Sequence, residues 1–480
     1  MSVKKNILYN ITYQILILFL PLVTTPYISR VIGAEGVGIY SYTYSIANYF
    51  ILFAMLGLNN YGNRSIASVR DNKIKLSETF FNIYGLQLVT AVTMVILYLL
   101  YTIFFISDNS EIAYIQLFFI ISTMLDINWF FFGLEQFKLT VVRNTIIKIL
   151  TVVSIFIFVK DSNDLWIYTV IMALGTLLSQ MMLWPFMKRY IIWIKPTFKG
   201  IRSHLKPNLM LFIPVLAISI YKIMDKIMLG VLTSTIQVGY YENSEKIICI
   251  PTSIIAALGV VMLPRMTNLI VSGDSESFKK YIEISLKFVM LIAIGSTVGL
   301  IAISPNFIPL FLGDEFTNCI MVVSLLSVTV LFISWANVIR TQYLIPRKKD
   351  SIYIKSTLLG AGVNVIANLI FIPRYGAVGA AIGTIFAEAS VALYQTFKVR
   401  KEIDIAKYFL NSCLYIIPAI CMYLCIIALR NITENMMLTL LMQVILGGIA
   451  YVILSGIVLW FVDRNMRIKF GQLFYKVKRV

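Results

Sequence analysis

Two triplets of ionisable residues stand inside otherwise apolar runs: Lys222, Asp225 and Lys226, then Glu242, Glu245 and Lys246. Their spacing of i, i+3, i+4 sets each triplet on one face of a helix. Amines placed in this way can hold an anion, and carboxylates can take up and release a proton or a sodium ion. Both roles require access to water. The triplets sum to three positive and three negative charges, so they equally suit a self-neutralised network that only pins two helices together. Arg30 is a further cationic candidate, either as an anion contact or as an interfacial arginine reaching for water. Asp126 and Glu388 are isolated acids deeper in apolar runs, where an acid is either protonated, hydrogen-bonded or an ion-coupling site.

Enzymatic chemistry has little to work with. His204, in a basic stretch, is the single histidine, so no Ser-His-Asp set can form. No lysine follows a glycine-rich phosphate loop, which excludes an ATP-driven pump encoded by this chain alone. Cys249, Cys319, Cys413, Cys421 and Cys425 lack metal-ligand spacing. No catalytic residue, cofactor or metal is expected.

The elements that carry these residues follow from composition. Of 480 residues 59% are hydrophobic and 13% charged, and the mean hydropathy is +0.84; a soluble domain carries about 25% charged residues. Apolar runs long enough to cross ~30 Å of hydrocarbon recur throughout. They predict an all-α polytopic membrane protein of about 14 spans, or 12 if two of the charged segments are re-entrant. The spans fall near 8–28, 40–58, 83–105, 112–132, 141–159, 165–186, 209–232, 238–263, 284–303, 320–339, 354–372, 377–397, 408–429 and 437–461.

The net charge of +18 could suggest nucleic acid, but the basic residues sit in short loops between apolar runs, which is membrane topology. With both termini cytoplasmic, nearly all loop lysines and arginines lie inside. Only Arg30, Lys160, Arg374 and Arg430 lie outside, while Arg143 and Lys148 are placed at the inner end of the fifth span. The longest loop, about 187–208, is basic and divides the chain. An internal echo supports that division: Val31-Ile32-Gly33 and Val37-Gly38-Ile39-Tyr40 parallel Met228-Leu229-Gly230 and Val238-Gly239-Tyr240-Tyr241. The first helix of each half carries proline, Pro21 and Pro26 in one and Pro214 in the other, where a missing hydrogen bond allows a gating kink.

The run from Pro26 through Arg30, Gly33, Gly36 and Gly38 to Tyr40 resembles the start of bacterial oligosaccharide flippases, the O-antigen and capsule repeat-unit exporters. Asp225-Lys226-Ile227-Met228-Leu229-Gly230 with Val238-Gly239-Tyr240-Tyr241 resembles their seventh and eighth helices, and 373–381 the turn before their twelfth. With helix number and length, the resemblance covers essentially the whole chain. It implies two six-helix bundles around a central cavity plus two C-terminal helices: 1–190, a basic inter-lobe loop 191–208, 209–400, and 401–480 with a basic tail. It also implies a multi-pass protein of the bacterial inner membrane that moves an undecaprenyl-diphosphate-linked oligosaccharide between leaflets by alternating access. A coupling H+ or Na+ and a polysaccharide polymerase and chain-length regulator would be its partners, along with membrane lipid.

Arg30 and Asp225-Lys226 match the family's motif positions; Lys222, Glu242, Glu245 and Lys246 rest on charge and spacing alone. The residues also leave open a cation-coupled multidrug or other lipid exporter of the same fold, although several cavity lysines suit a diphosphate better than a cationic drug. A membrane-embedded polymerase would normally show a large external loop or a catalytic aspartate cluster, and neither is present. A scramblase without coupling stays open.

Overall fold

The computed structural model describes residues 3–430 and 432–462, with the side chains of 3–19, Pro214, Tyr221 and Val462 outside the description. Within these residues the chain is helical, because helices satisfy every backbone donor and acceptor internally where no water can. Two compact units divide it, Met1–Glu242 and Asn243–Val480.

The first unit begins with α1 (Val3–Met55), α2 (Leu58–Val69), α3 (Lys73–Phe105), α4 (Ser110–Leu125) and α5 (Asn128–Gly133). It continues with α6 (Phe137–Phe158), α7 (Leu165–Met181), α8 (Trp184–Met187), α9 (Phe198–Leu232) and the first turns of α10 (Thr235–Val271). The expected loop between the first two spans is absent. α1 runs through both, and only Gly33, at φ 75° and ψ 178°, leaves helical geometry. Glycine tolerates that conformation at little cost, so one residue redirects the helix without a loop. The basic connection before α9 is also shorter than expected, because Thr197 starts the helix early by accepting the Gly200 N–H at 3.1 Å. Among the described residues, eleven helical stretches are long and apolar enough to span a membrane. The two arms of α1 and the more charged α9 bring the number to the expected fourteen.

The two copies of the echoed motif meet. A Cβ on Gly38 would lie 1.8 Å from the carbonyl oxygen of Thr235 and 3.1 Å from the amide nitrogen of Gly239. Reciprocally, a Cβ on Gly239 would lie 2.1 Å from the carbonyl oxygen of Ala34 and 3.2 Å from the amide nitrogen of Gly38. Ala34 and Thr235 each precede their glycine by four residues, so the crossing is symmetric, with backbone in direct contact where any side chain would separate the helices.

The fourth span is interrupted. α4 ends at Asp126, whose φ of −75° and ψ of 100° are extended, and α5 starts two residues later. An interruption inside hydrocarbon releases carbonyls that need donors. Gln87 of α3, fully buried, supplies one amide nitrogen to two of them, the carbonyls of Thr123 (2.5 Å) and Asp126 (2.8 Å). Its oxygen accepts from the Trp129 indole at 2.9 Å, and the Trp184 indole donates to the Leu125 carbonyl at 3.0 Å. Asp126 caps the helix that follows, its Oδ1 accepting from the backbone of Asn128 at 2.9 Å. Trp129, Phe130 and Phe131 then pack into a core with Leu58, Ile66 and Phe80.

The second unit holds the rest of α10, α11 (Ser275–Leu312), α12 (Cys319–Val338) and α13 (Asp350–Tyr375). It ends with α14 (Ala377–Val399), α15 (Ile405–Cys413), α16 (Ile416–Ala428) and α17 (Met436–Val462). Gly376, at φ 54°, turns α13 into α14, and Gly379 lies so close to Phe371 that an added Cβ would sit 2.3 Å from its carbonyl oxygen. After α12 a π-helical turn, Ile339–Leu344, carries Tyr343 to Glu402 in the loop after α14. Glu402 also accepts from Lys349 and, at 3.1 Å, from Arg347. Hydrogen bonds from Lys349 and Tyr343 hold its carboxyl below the ordinary glutamate range.

Two predictions follow from these contacts. Gln87→Leu keeps the volume but leaves the Asp126 carbonyl and the Trp129 indole without their partner and the Thr123 carbonyl with only the Asp126 N–H at 3.4 Å, which at about 1–3 kcal/mol for each orphaned group makes it strongly destabilising. A clear fall in the thermal unfolding temperature of the purified protein checks this, and an unchanged temperature refutes it. Glu402, its folded pKa depressed, contributes stability that is complete above the unfolded glutamate range and lost as pH falls through the folded value. Its carboxylate is partly exposed, so the gap between wild type and Glu402→Gln is at most about 1 kcal/mol near neutrality. That gap should close on acidification; a gap constant with pH would separate Glu402 from the acid response.

Candidate functional site

Of the two charged triplets, the structure brings together part. Lys226 of α9 and Glu242 of α10 form an ion pair at 2.6 Å, each side chain 16% exposed. Asp225, 2% exposed, accepts a hydrogen bond from the Tyr241 hydroxyl at 2.7 Å. Adjacent residues on a helix diverge by about 100°. Asp225 therefore turns into the packing while Lys226 stays half-buried, and Lys222 is exposed. Glu245 and Lys246 continue along α10, both half-buried, and Arg30 is exposed on α1 one turn before Ala34. Glu388 is buried on α14 in the second unit.

Three tyrosines of α1 and α7 lie near Glu242. Tyr40 stacks on Tyr44 at 5.7 Å between ring centroids and meets Tyr168 of α7 edge-on at 4.9 Å. Tyr40 and Tyr241 each follow a crossing glycine by two residues, so the Gly38 and Gly239 contact sets where these rings stand.

A second polar assembly lies at the interrupted span. Arg143 of α6, only 5% exposed, donates to the Asn144 side-chain oxygen (2.6 and 3.1 Å), the Asn128 side-chain oxygen (2.8 Å) and the Ser179 carbonyl (2.9 Å). It also reaches the Gln180 side-chain oxygen at 3.4 Å. Asn128 in turn donates to Asp126 at 2.7 Å and to Gln180 at 3.0 Å. Arg143 and Lys148 were expected at the inner helix end, and the structure corrects this. Arg143 is buried in a polar cluster, and Lys148 is twelfth in a helix of 22 residues. Hydropathy counts a charge without its direction, and both residues turn into the unit.

Two cavities flank α7. One, of about 230 Å³, is lined by Tyr44, Phe119, Ser122, Thr123 and Asp126. The other, of about 400 Å³, is lined by Thr24, Asn144, Lys148, Thr151 and Tyr168, with Pro21 at its edge. Thr176 and Gln180 line both. Pro26 lies inside α1, and Pro214 falls in α9 with its side chain outside the described residues. Sequence reasoning singled out Asp126 and Pro21 but missed Asn128, Arg143 and Gln180 and the role of Lys148. A signal was present: Asn144, Lys148 and Thr151 stand at i, i+4, i+7, and Thr176, Ser179 and Gln180 at i, i+3, i+4, polar stripes in apolar helices.

Comparison with known proteins follows the same lines. Residues 3–270 match the family described as "Polysaccharide biosynthesis protein". A protein of Escherichia coli K12 named "Putative O-antigen transporter" is 24% identical over 411 residues, covering 84% of this chain and 98% of its own. A solved structure of the lipid II flippase MurJ in an inward closed conformation superposes with a TM-score of 0.75 at 18% identity, covering 96% of this chain and 99% of its own. An inward-facing multidrug resistance MATE family transporter of the MOP superfamily gives 0.59 at 15% identity, covering 81% and 99%. At these identities the two structures speak for the fold alone. The match over more than half of its length settles the family: this multi-pass membrane chain belongs to the polysaccharide biosynthesis protein family.

Proposed function

We propose that the protein is a flippase that moves undecaprenyl-diphosphate-linked oligosaccharide repeat units, of O-antigen or capsular polysaccharide, from the inner to the outer leaflet of the bacterial inner membrane. Both termini are cytoplasmic in this reading, and residues 1–190 and 209–400 act as two six-helix bundles. The observation that carries it is the Lys226 and Glu242 ion pair, half-buried and bordered by Tyr40, Tyr44 and Tyr168. A lysine already held by a carboxylate is a site where a diphosphate can compete. When the diphosphate takes Lys226, Glu242 loses its counter-charge in a poorly solvated place and gains affinity for a proton or sodium ion. Tyrosine faces beside a charge suit sugar rings, whose C–H surfaces stack while their hydroxyls hydrogen-bond.

In this reading Lys222, Lys246 and Arg30 assist with the anion, and Asp225, Glu245 and Asp126 share ion coupling. Pro21, Pro26 and Pro214 allow the helices around the path to bend. A polysaccharide polymerase and a chain-length regulator take the product onward. A second reading has its own observation: the smaller cavity pairs Asp126 with the rings of Tyr44 and Phe119, an acidic aromatic lining that suits a cationic drug.

Complementation of a flippase-deleted strain producing the native repeat unit tests the proposal, scoring surface polysaccharide and the leaflet of the lipid-linked intermediate. Wild type should restore export, while Lys226→Ala of matched expression should lower it at least about tenfold, the effect of losing one charge-assisted hydrogen bond. Exchanging the partners, Lys226→Glu with Glu242→Lys, restores the pair without restoring export if the position of the amine matters. Wild type that fails with its own repeat unit, yet lowers drug sensitivity, would move the second reading first.

A further inference from the structure

The larger cavity, among α1, α6 and α7, contains a charge that the transport path above does not use. Lys148 lies about 16 Å from either end of its helix. An extended lysine reaches roughly 6 Å, so it cannot place its ammonium at either membrane surface. It is the one charged side chain in the described lining of this cavity.

The neighbouring amides are oriented to match. The Asn144 side-chain oxygen accepts from Arg143 twice and from Ser179 at 3.3 Å. The Gln180 side-chain oxygen accepts from Asn128 and Arg143. Turning either amide over would press an NH2 group against a guanidinium, so Arg143 fixes both with their oxygens toward itself. What Asn144 and Gln180 then offer the cavity they line is N–H donors. Thr24 and Thr176 spend their hydroxyl protons on the carbonyls of Leu20 and Met172. Thr151 fits because residue 175 is glycine, where a Cβ would sit 2.7 Å from its hydroxyl.

We propose that this cavity is a binding site for a phosphoryl group. Lys148 meets its charge, and the amide nitrogens of Asn144 and Gln180 hydrogen-bond its oxygens. Arg143 acts as the positioning residue behind them. A phosphoryl group presents several acceptor oxygens to such a set of donors, and a volume of about 400 Å³ exceeds what the group alone needs. The same chemistry is found in a lipid headgroup and in free phosphate. Ile146, Leu150 and Val153 are exposed on α6, apolar surface along which an acyl or prenyl tail can lie. The inference stands apart from the transport reading, since binding here needs neither a glycan nor completed flipping.

The test is retention of lipid by the purified full-length protein in detergent, read by native mass spectrometry with phosphatidic acid and phosphatidylcholine in competition. Wild type should retain phosphatidic acid preferentially. Lys148→Gln should reduce that preference about tenfold, while Lys148→Arg keeps it. Arg143→Gln, which frees the amides to turn, should weaken it with Lys148 still in place. Lys280→Gln, at an exposed position of α11 outside both proposed sites, should leave it unchanged. Displacement of the lipid by inorganic phosphate assigns the site to the free ion, and resistance to displacement assigns it to a lipid-borne group. Preference unaltered by Lys148→Gln, or a wild type that distinguishes neither phosphatidic acid from phosphatidylcholine nor binds phosphate, overturns the proposal.

Discussion

A backbone carbonyl released inside hydrocarbon must find a donor within the protein, and the interruption at Asp126 makes the first unit depend on one side chain that provides it. Gln87 bonds two freed carbonyls with one nitrogen and accepts the Trp129 indole with its oxygen. Because the break is held, α5 can leave the axis of α4 and carry Trp129, Phe130 and Phe131 into the core. Asp126 and Asn128 are brought by the same break to face α6 and α7. A continuous helix would point residues 126 and 128 about 200° apart. The break allows them to share one hydrogen-bond cluster.

Arg143 organises the rest of that cluster. A guanidinium has donors and no acceptor, so whatever surrounds it must turn oxygens inward. Asn128, Asn144, Gln180 and the Ser179 carbonyl all do so. The consequence appears on the two faces of α7. One cavity keeps a carboxylate, Asp126, and aromatic rings; the other receives a lysine and the outward N–H groups. A single buried cation therefore sets which way the amide oxygens around it face. Burying a charge is costly unless it is paired and hydrogen-bonded, and here the bonds that offset the cost also determine what each cavity can bind.

Much of this architecture was legible in the sequence, because a membrane enforces a length and a composition on every crossing. The all-helical, many-spanning architecture and the family itself followed from residue type and spacing. Other features were not legible for physical reasons. Hydropathy averages over a window, so the passage of α1 through a single residue at Gly33 looks like a loop. Charge counting ignores helical phase, so Arg143 and Lys148 are assigned to the inner end of their helix although they face the interior. Which lysine of α9 pairs with which glutamate of α10 depends on a rotation between helices that no periodicity encodes. Asp126 was recognised as an acid in an apolar run, but its role in ending a helix needs Gln87, thirty-nine residues away in the chain.

The echoed glycine motif carries a constraint that neither copy states alone. Gly38 and Gly239 touch, each against the carbonyl four residues before the other. Neither position can accept a side chain unless the helices separate, and separation would move the tyrosines that follow each glycine by two residues. Tyr40 stands by Tyr44 and Tyr168, while Tyr241 donates to Asp225. Glu242, next in the chain, reaches Lys226. The distance that sets the ion pair and the aromatic border is thus a backbone-to-backbone distance, the least adjustable kind in a close-packed interior. A repeat whose copies form the contact between them ties recognition chemistry to helix packing. The charges sit where they do because the glycines let two main chains touch.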